Sequence, residues 1–187
     1  MLKDGNEIER LVTGVQNAQK TASERLKELN LDHLKNFKEI YNGPMPANFL
    51  LNLQVLRIND CQKLVRIFPS ELLCNLQNLE RLDVCGCDES QEAFCYDELL
   101  EGHALIFKLQ EVKLKRLPVL TTIWKGEIPL GSLRNVENLY VGGCNSLKSL
   151  FPPRLVHRLE GLKQLEIKTC GVLEKLISNE EELAVIE

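Results

Sequence analysis

The feature that most constrains this chain is a short apolar pattern, L-x-x-L-x-L, which recurs six times. The central apolar residue of each copy serves as its anchor, and successive anchors lie 27, 26, 30, 27 and 26 residues apart. The anchors are Leu29, Leu56, Leu82, Val112, Leu139 and Leu165. A motif that returns at a nearly constant period indicates stacked repeats rather than one closed core. The same repeat accounts for a composition in which 35 of 187 residues are leucine.

The pattern within each copy predicts its structure. The anchor and the apolar residue two positions later alternate with polar residues, as in a strand with one buried face. A cysteine or leucine follows, and apolar residues spaced by threes then turn the chain back. One copy cannot bury its own leucines, so stacked copies must share a core. The predicted fold is an α/β leucine-rich repeat solenoid, a horseshoe of about six repeats with a parallel concave sheet and a convex side of loops and short helices.

The third copy departs from this pattern. Its Cys87 is followed by the polar residues 88–92, so we expect it to lack the second half of a repeat and residues 88–105 to form an enlarged convex loop. Two other convex segments carry helix-start signals, because prolines at residues 69 and 152–153 precede short apolar pairs.

The whole chain, residues 1–187, is predicted to be a single domain. Residues 1–23 are predicted to end a preceding degenerate repeat, residues 24–178 to hold the six repeats, and residues 179–187 to form an acidic and apolar tail. We therefore expect the chain to begin and end inside a longer solenoid. Because terminal repeats expose core leucines unless they are capped, we also expect self-association through the ends.

Cellular location is predicted from what the sequence lacks. No apolar run approaches the roughly 18 residues of a membrane span, and the first residues contain no apolar core of a secretory signal. Seven cysteines cannot all pair with one another, which favours free thiols in a reducing compartment. The sequence predicts a cytoplasmic protein.

No enzymatic, metal or nucleic-acid function is predicted. The net charge of −4 argues against a nucleic-acid partner. Cys61, Cys87, Cys144 and Cys170 recur at repeat periods, which indicates buried structural thiols rather than metal ligands. Cys85 lies two residues from Cys87, but we expect Cys87 to point inward and Cys85 outward, so that the two thiols would not share an ion. The three histidines have no nucleophile or carboxylate at a catalytic spacing. We expect no catalytic residue, no metal and no cofactor.

Three segments carry a family resemblance. Residues 61–69 and 144–152 share the pattern Cys-x-x-Leu-x-x-(Ile/Leu)-Phe-Pro, and residues 117–124 read Leu-Pro-Val-Leu-Thr-Thr-Ile-Trp. With the repeat, these segments resemble the leucine-rich repeat region of plant intracellular disease-resistance proteins, which also hold a coiled coil and a nucleotide-binding domain. The resemblance covers residues 24–178. No G-x-x-x-x-G-K-(S/T) phosphate loop occurs, so the family's nucleotide switch is not carried over.

The resemblance implies a recognition role in plant defence and innate immunity. The partner would be a protein: a pathogen effector, a guarded host protein, or the receptor's own nucleotide-binding domain, whose switch the repeats would restrain. An alternative is a stand-alone leucine-rich repeat adaptor or inhibitor, such as a substrate receptor for a ubiquitin ligase, which would need an attached recruiting domain.

Candidate partner-binding residues are the polar side chains that flank the buried strand leucines. They carry charges of both signs, which suits protein recognition because charge complementarity sets specificity and association rate. The alternative interpretation is that they are only solvated strand residues. The candidates on the concave face are Arg57, Asn59, Arg81, Asp83, Lys113, Lys115, Arg116, Tyr140, Glu166 and Lys168.

Overall fold

The computed structural model of the chain describes residues 2–3, 10–13, 25–42, 48–97, 108–129 and 131–178. These residues form short strands throughout. In chain order they are β1 (Leu2–Lys3), β2 (Arg10–Thr13), β3 (Glu28–Asp32), β4 (Glu39–Asn42), β5 (Val55–Asn59), β6 (Arg66–Phe68), β7 (Arg81–Cys85), β8 (Glu92–Cys95), β9 (Glu111–Lys115), β10 (Thr122–Lys125), β11 (Asn138–Gly142), β12 (Ser149–Phe151), β13 (Gln164–Lys168) and β14 (Lys175–Ile177). Two helices lie wholly within the described residues, α1 (Ser70–Leu73) and a 3₁₀ helix (Pro153–Arg158).

The odd-numbered strands form one long parallel sheet of seven strands, in the order β1-β3-β5-β7-β9-β11-β13. From β3 to β13 the register pairs every anchor with the next, so Leu29 lies beside Leu56 and Leu139 beside Leu165. This confirms the predicted solenoid and its alignment of repeats. In a horseshoe of this kind the sheet lines the inner curve, and its solvent side is called the concave face below.

The opposite side of the solenoid contains more strand than the sequence predicts. The even-numbered strands pair in parallel as β2-β4, β6-β8-β10 and β12-β14. Neighbouring repeats run extended side by side here, so their backbone groups hydrogen-bond across the repeat boundary. Aromatic rings pack behind the middle group, with Phe94 at 5.1 Å from Phe68 and 4.6 Å from Trp124 between ring centroids. Helix α1 and the 3₁₀ helix begin at the two predicted proline sites.

The third repeat does have a second half, contrary to the prediction. Strand β8 pairs with β6 and β10, and within it Ala93 holds the place that Ile67 holds in the second repeat. Ser90 holds the place of Leu64, fully buried, and its hydroxyl donates to the Leu64 carbonyl at 2.5 Å. The prediction was wrong because small residues replace leucine without leaving an apolar pattern. Residues 98–105 of the expected loop lie outside the described residues, as does the predicted tail.

One continuous core runs along the solenoid. The anchors from Leu29 to Leu139 are at most 6% exposed, and the next inward residue of each strand is at most 2% exposed. Leucines from the turns and the aromatic rings behind the sheet complete the same cluster. Each turn thus buries the apolar face of its neighbour, as the repeat pattern requires. No helix in the described ranges is both long and apolar enough to cross a membrane.

Candidate functional site

The concave face is a grid whose rows are set by strand register. The central row holds five of the ten predicted residues, one from each strand between β5 and β13, and adjacent side chains stand about 4.8 Å apart. These five are Arg57, Asp83, Lys113, Tyr140 and Glu166. Asn59, Lys115 and Lys168 share the row at the carboxyl ends of the strands, while Arg81 lies in the row at their amino ends. The structure therefore brings nine of the predicted residues onto one face.

Most of the cations on this face touch a carboxylate. Arg57 is paired with Glu28 on the neighbouring strand, and Lys168 with Glu166 on its own strand. Lys113 lies 2.7 Å from Glu111, and this hydrogen bond raises the Lys113 pKa above its usual value. Because these groups are partly exposed, the pairs are weak and a partner could rearrange them.

Tyr140 is held in place more firmly than its sequence position suggests. The Lys113 ammonium lies over the Tyr140 ring, 5.2 Å from its centroid. On the other side the Tyr140 hydroxyl donates to the side-chain oxygen of Gln164 at 3.1 Å. A cation on the ring face and a fixed hydroxyl pre-organise this aromatic side chain. The repeat pattern aligns the three strands, but both contacts also depend on side-chain orientation, which leaves no signal in the sequence.

The tenth predicted residue, Arg116, lies just beyond the grid. Its guanidinium reaches across two repeats to Asp60, with Nη2 at 2.9 Å from Oδ1, and its Nε donates to the Cys85 sulfur at 3.3 Å. Asp60 also lies 3.3 Å from the His33 imidazole. The contacts with Cys85 and Asp60 raise the pKa of Arg116, and the contact with Cys85 contributes most. Arg116 therefore links repeats as well as facing solvent.

Arg116 belongs to a row of residues that directly follow the strands of the long sheet. These residues share a backbone conformation that was not predicted. The residue after each strand adopts a positive φ of 51 to 69° in six consecutive repeats. In the first five of these repeats its N–H donates to the last carbonyl of the next strand, which extends the sheet by one bond at each boundary between repeats. The six residues are His33, Asp60, Gly86, Arg116, Gly143 and Thr169. The only available signal was the two glycines and one aspartate at equivalent positions.

Three of the four recurring cysteines are buried as expected, whereas Cys170 in the last repeat is only partly buried. Cys61, Cys87 and Cys144 are fully buried, and each thiol lies 3.6 to 3.8 Å from the carbonyl two residues earlier. Burial raises the pKa of Cys61 to about 11 and those of Cys87 and Cys144 to about 12. These thiols stay protonated and unreactive at neutral pH. Cys85, in contrast, is half-buried: it is the last outward residue of β7, and the chain turns at Gly86, whose φ is positive, before the buried Cys87.

A second polar group lies on the other side of the solenoid. Glu92 accepts from Lys125 at 2.6 Å and from the Cys95 thiol at 3.2 Å, and Arg66 lies 3.6 Å away. Burial raises the pKa of Glu92, but these hydrogen bonds outweigh it and leave the pKa below normal. The group joins three repeats. Across the described residues, no three His, Cys, Asp or Glu side chains are arranged to hold a metal ion.

A comparison with known protein families finds a match to the repeats. Residues 39–171 match the family described as plant disease resistance protein RPS2-like, leucine-rich repeats. No solved structure gives a significant match.

Curated relatives agree with this match. The chain is 34% identical to the probable disease resistance protein At4g27220 of Arabidopsis thaliana over 67% of its length, and 31% identical to the disease resistance proteins RPP5 and RPP4 of the same plant over 82% and 80%. It spans 14%, 11% and 17% of these three relatives. The chain therefore belongs to the RPS2-like leucine-rich repeat family of plant disease resistance proteins.

Proposed function

We propose that the chain is the protein-recognition module of a plant disease-resistance receptor and that it binds its partner through the concave face. The observation that carries this proposal is the central row of the grid. Five different side chains, four of them charged and each of a different type, stand on the strands while the residues behind them are uniformly apolar. A rigid surface of varied polarity supplies specificity at little cost in ordering.

The partner would be a pathogen protein, a host protein changed by the pathogen, or the nucleotide-binding domain of the same receptor. In the last case the repeats restrain the nucleotide switch until a signal arrives. We propose a cytoplasmic location for these encounters. The adaptor alternative is supported less, because the three relatives above are all disease resistance proteins.

The test reverses charge on the concave face in the complete chain. Lys113, Lys115 and Lys168 are changed to Glu, and Arg116 is left intact because its pair with Asp60 links repeats. The matched control changes Lys35, Lys63 and Lys148, three exposed lysines outside the long sheet, to Glu. Both variants are first shown by circular dichroism to retain the fold.

Binding is then measured against partners captured from plant extract and purified, and against nucleotide-binding domains of the related receptors. We expect the concave reversal to lower affinity for a genuine partner at least about tenfold and the control to change it little, because reversed charge repels the complementary surface. Equal affinity of wild type, reversal and control for every purified partner would contradict the proposal.

A further inference from the structure

The concave face carries a charge gradient along the solenoid. The strands β3 and β5, with the residue after each, hold the carboxylates Glu28, Asp32 and Asp60 against one cation, Arg57. The strands β9, β11 and β13, with the residue after each, hold four cations against the carboxylates Glu111 and Glu166. The four cations are Lys113, Lys115, Arg116 and Lys168. The face is thus negative at one end and positive at the other.

A notch lies inside the positive end. Gly142 is the last residue of β11, and it is the one position of the grid formed by β3 to β13 that has no side chain. The register places Lys115 directly on one side of it and Lys168 on the other. The two lysine side chains are 45% and 74% exposed, so both ammonium groups are accessible above the gap.

The notch adjoins Tyr140, the one aromatic side chain among the outward residues of β3 to β13. Tyr140 stands two residues before Gly142 on the same side of the strand, with Lys113 over its ring and its hydroxyl bonded to Gln164. A tyrosine whose side chain is fixed before binding is typical of interface hot spots. A partner side chain that enters the notch therefore meets two ammonium groups and the flank of an aromatic ring.

We infer that Gly142 forms the floor of a docking notch for an acidic segment of the partner protein, in which a carboxylate lies between Lys115 and Lys168 and a neighbouring apolar side chain packs on Tyr140. This inference rests on the proposed function, since it names the chemistry of the partner at that face. The carboxylates near the notch do not block it. Lys115 lies 3.9 Å from Asp83, a loose contact, and the Lys168–Glu166 pair is exposed and therefore weak.

Gly142 offers a variant that fills the notch without changing charge. Its backbone is an ordinary strand conformation, and a Cβ added there would lie 3.5 Å from the nearest atom, the Lys168 carbonyl oxygen. Gly142→Met is therefore compatible with the fold and occupies the gap. Asn138→Met is the matched control, because Asn138 lies on the same strand and face at the other end of β11.

The probes are three short labelled peptides of equal length that alternate leucine with glutamate, glutamine or lysine. Binding to the complete chain is measured by fluorescence anisotropy at low and physiological salt. We expect the glutamate peptide to bind at least about tenfold more tightly than the glutamine peptide, and this advantage to shrink as salt rises. Gly142→Met removes the advantage, Tyr140→Ala weakens binding of the glutamate peptide, and two controls leave it unchanged: Asn138→Met, and Lys63→Glu outside the long sheet.

Three results would overturn the inference: equal binding of the three peptides, an undiminished glutamate preference in Gly142→Met, or equal binding of a single-stranded DNA, which would show a non-specific polyanion surface. None of these three results would contradict the proposed function. That proposal would be contradicted if charge reversal on the concave face left protein partners bound. If reversal abolishes partner binding while Gly142→Met has no effect on it, the concave face is used and the notch is not.

Discussion

Inward and outward positions of the long sheet differ in kind. The inward residues from β3 to β11 are Leu, Ile or Val throughout and at most 6% exposed, whereas the outward residues of the central row are of a different type on each of five strands. Every repeat must satisfy the same packing constraint, because each buries its neighbour's apolar face. The fold places no such demand on the outward set. Recognition can therefore vary along the chain while the fold is repeated.

The largest effect is expected where the core behind the long sheet is truncated. Phe94 is 2% exposed and packs between Phe68 and Trp124, so Phe94→Ala leaves a cavity across three repeats. We expect a loss of about 3–5 kcal/mol in the free energy of unfolding, measured by chemical denaturation. Val119→Ala is the comparison, since Val119 is 38% exposed and should cost under about 0.5 kcal/mol. Similar losses of stability in both variants would contradict the contrast between buried and exposed positions of the solenoid.

Two glycines on the solvent side sharpen the comparison. Gly86 has a φ of +69°, and an added Cβ would lie 2.1 Å from the Asp60 carboxylate, whereas Gly142 has neither restriction. Gly86→Ala should cost about 1–2 kcal/mol through left-handed strain and should also displace Asp60 from Arg116. Gly142→Ala should change stability by less than about 0.5 kcal/mol. If thermal or chemical denaturation gave equal losses for the two substitutions, the row of positive-φ residues that follow the strands would not contribute to the stability of the solenoid.

A polar residue inside the core gives a smaller effect. Ser90 is fully buried and donates to the Leu64 carbonyl, so Ser90→Ala removes a hydrogen bond where no water can replace it. The expected loss is about 1 kcal/mol. Ser146 makes a similar bond to the Pro118 carbonyl at 2.7 Å but is half-buried, so Ser146→Ala should cost less. The reverse order in denaturation midpoints would show that Ser90 merely fills space.

The sequence predicts the inward positions far better than the outward contacts. Burial imposes periods of two and about 27 residues, and these located all six anchors and the outward direction of nine candidate residues. Ser90 and Ala93 were missed because small residues fill a leucine site without an apolar signal. The positive φ at Arg116 was missed because that side chain rarely adopts it. The anchors place Lys113 beside Tyr140, but the contact between ammonium and ring depends on side-chain orientation, which no sequence pattern encodes.

The smallest effect concerns an ion pair on the concave face. The Arg57 guanidinium hydrogen-bonds to Glu28 and holds the pKa of that exposed carboxyl below its usual 4.5. A carboxyl with a lowered folded-state pKa contributes stability above its unfolded-state pKa and loses that contribution as pH falls through the folded-state value. In Arg57→Gln we expect the Glu28 pKa, followed by NMR titration, to return towards 4.5, while Arg66→Gln on the opposite side leaves it unchanged. An unchanged Glu28 pKa in Arg57→Gln would mean that the two side chains are independent in solution. The outward residues would then be separately solvated, and the charge gradient across the face, rather than any fixed pair, would be what a partner meets.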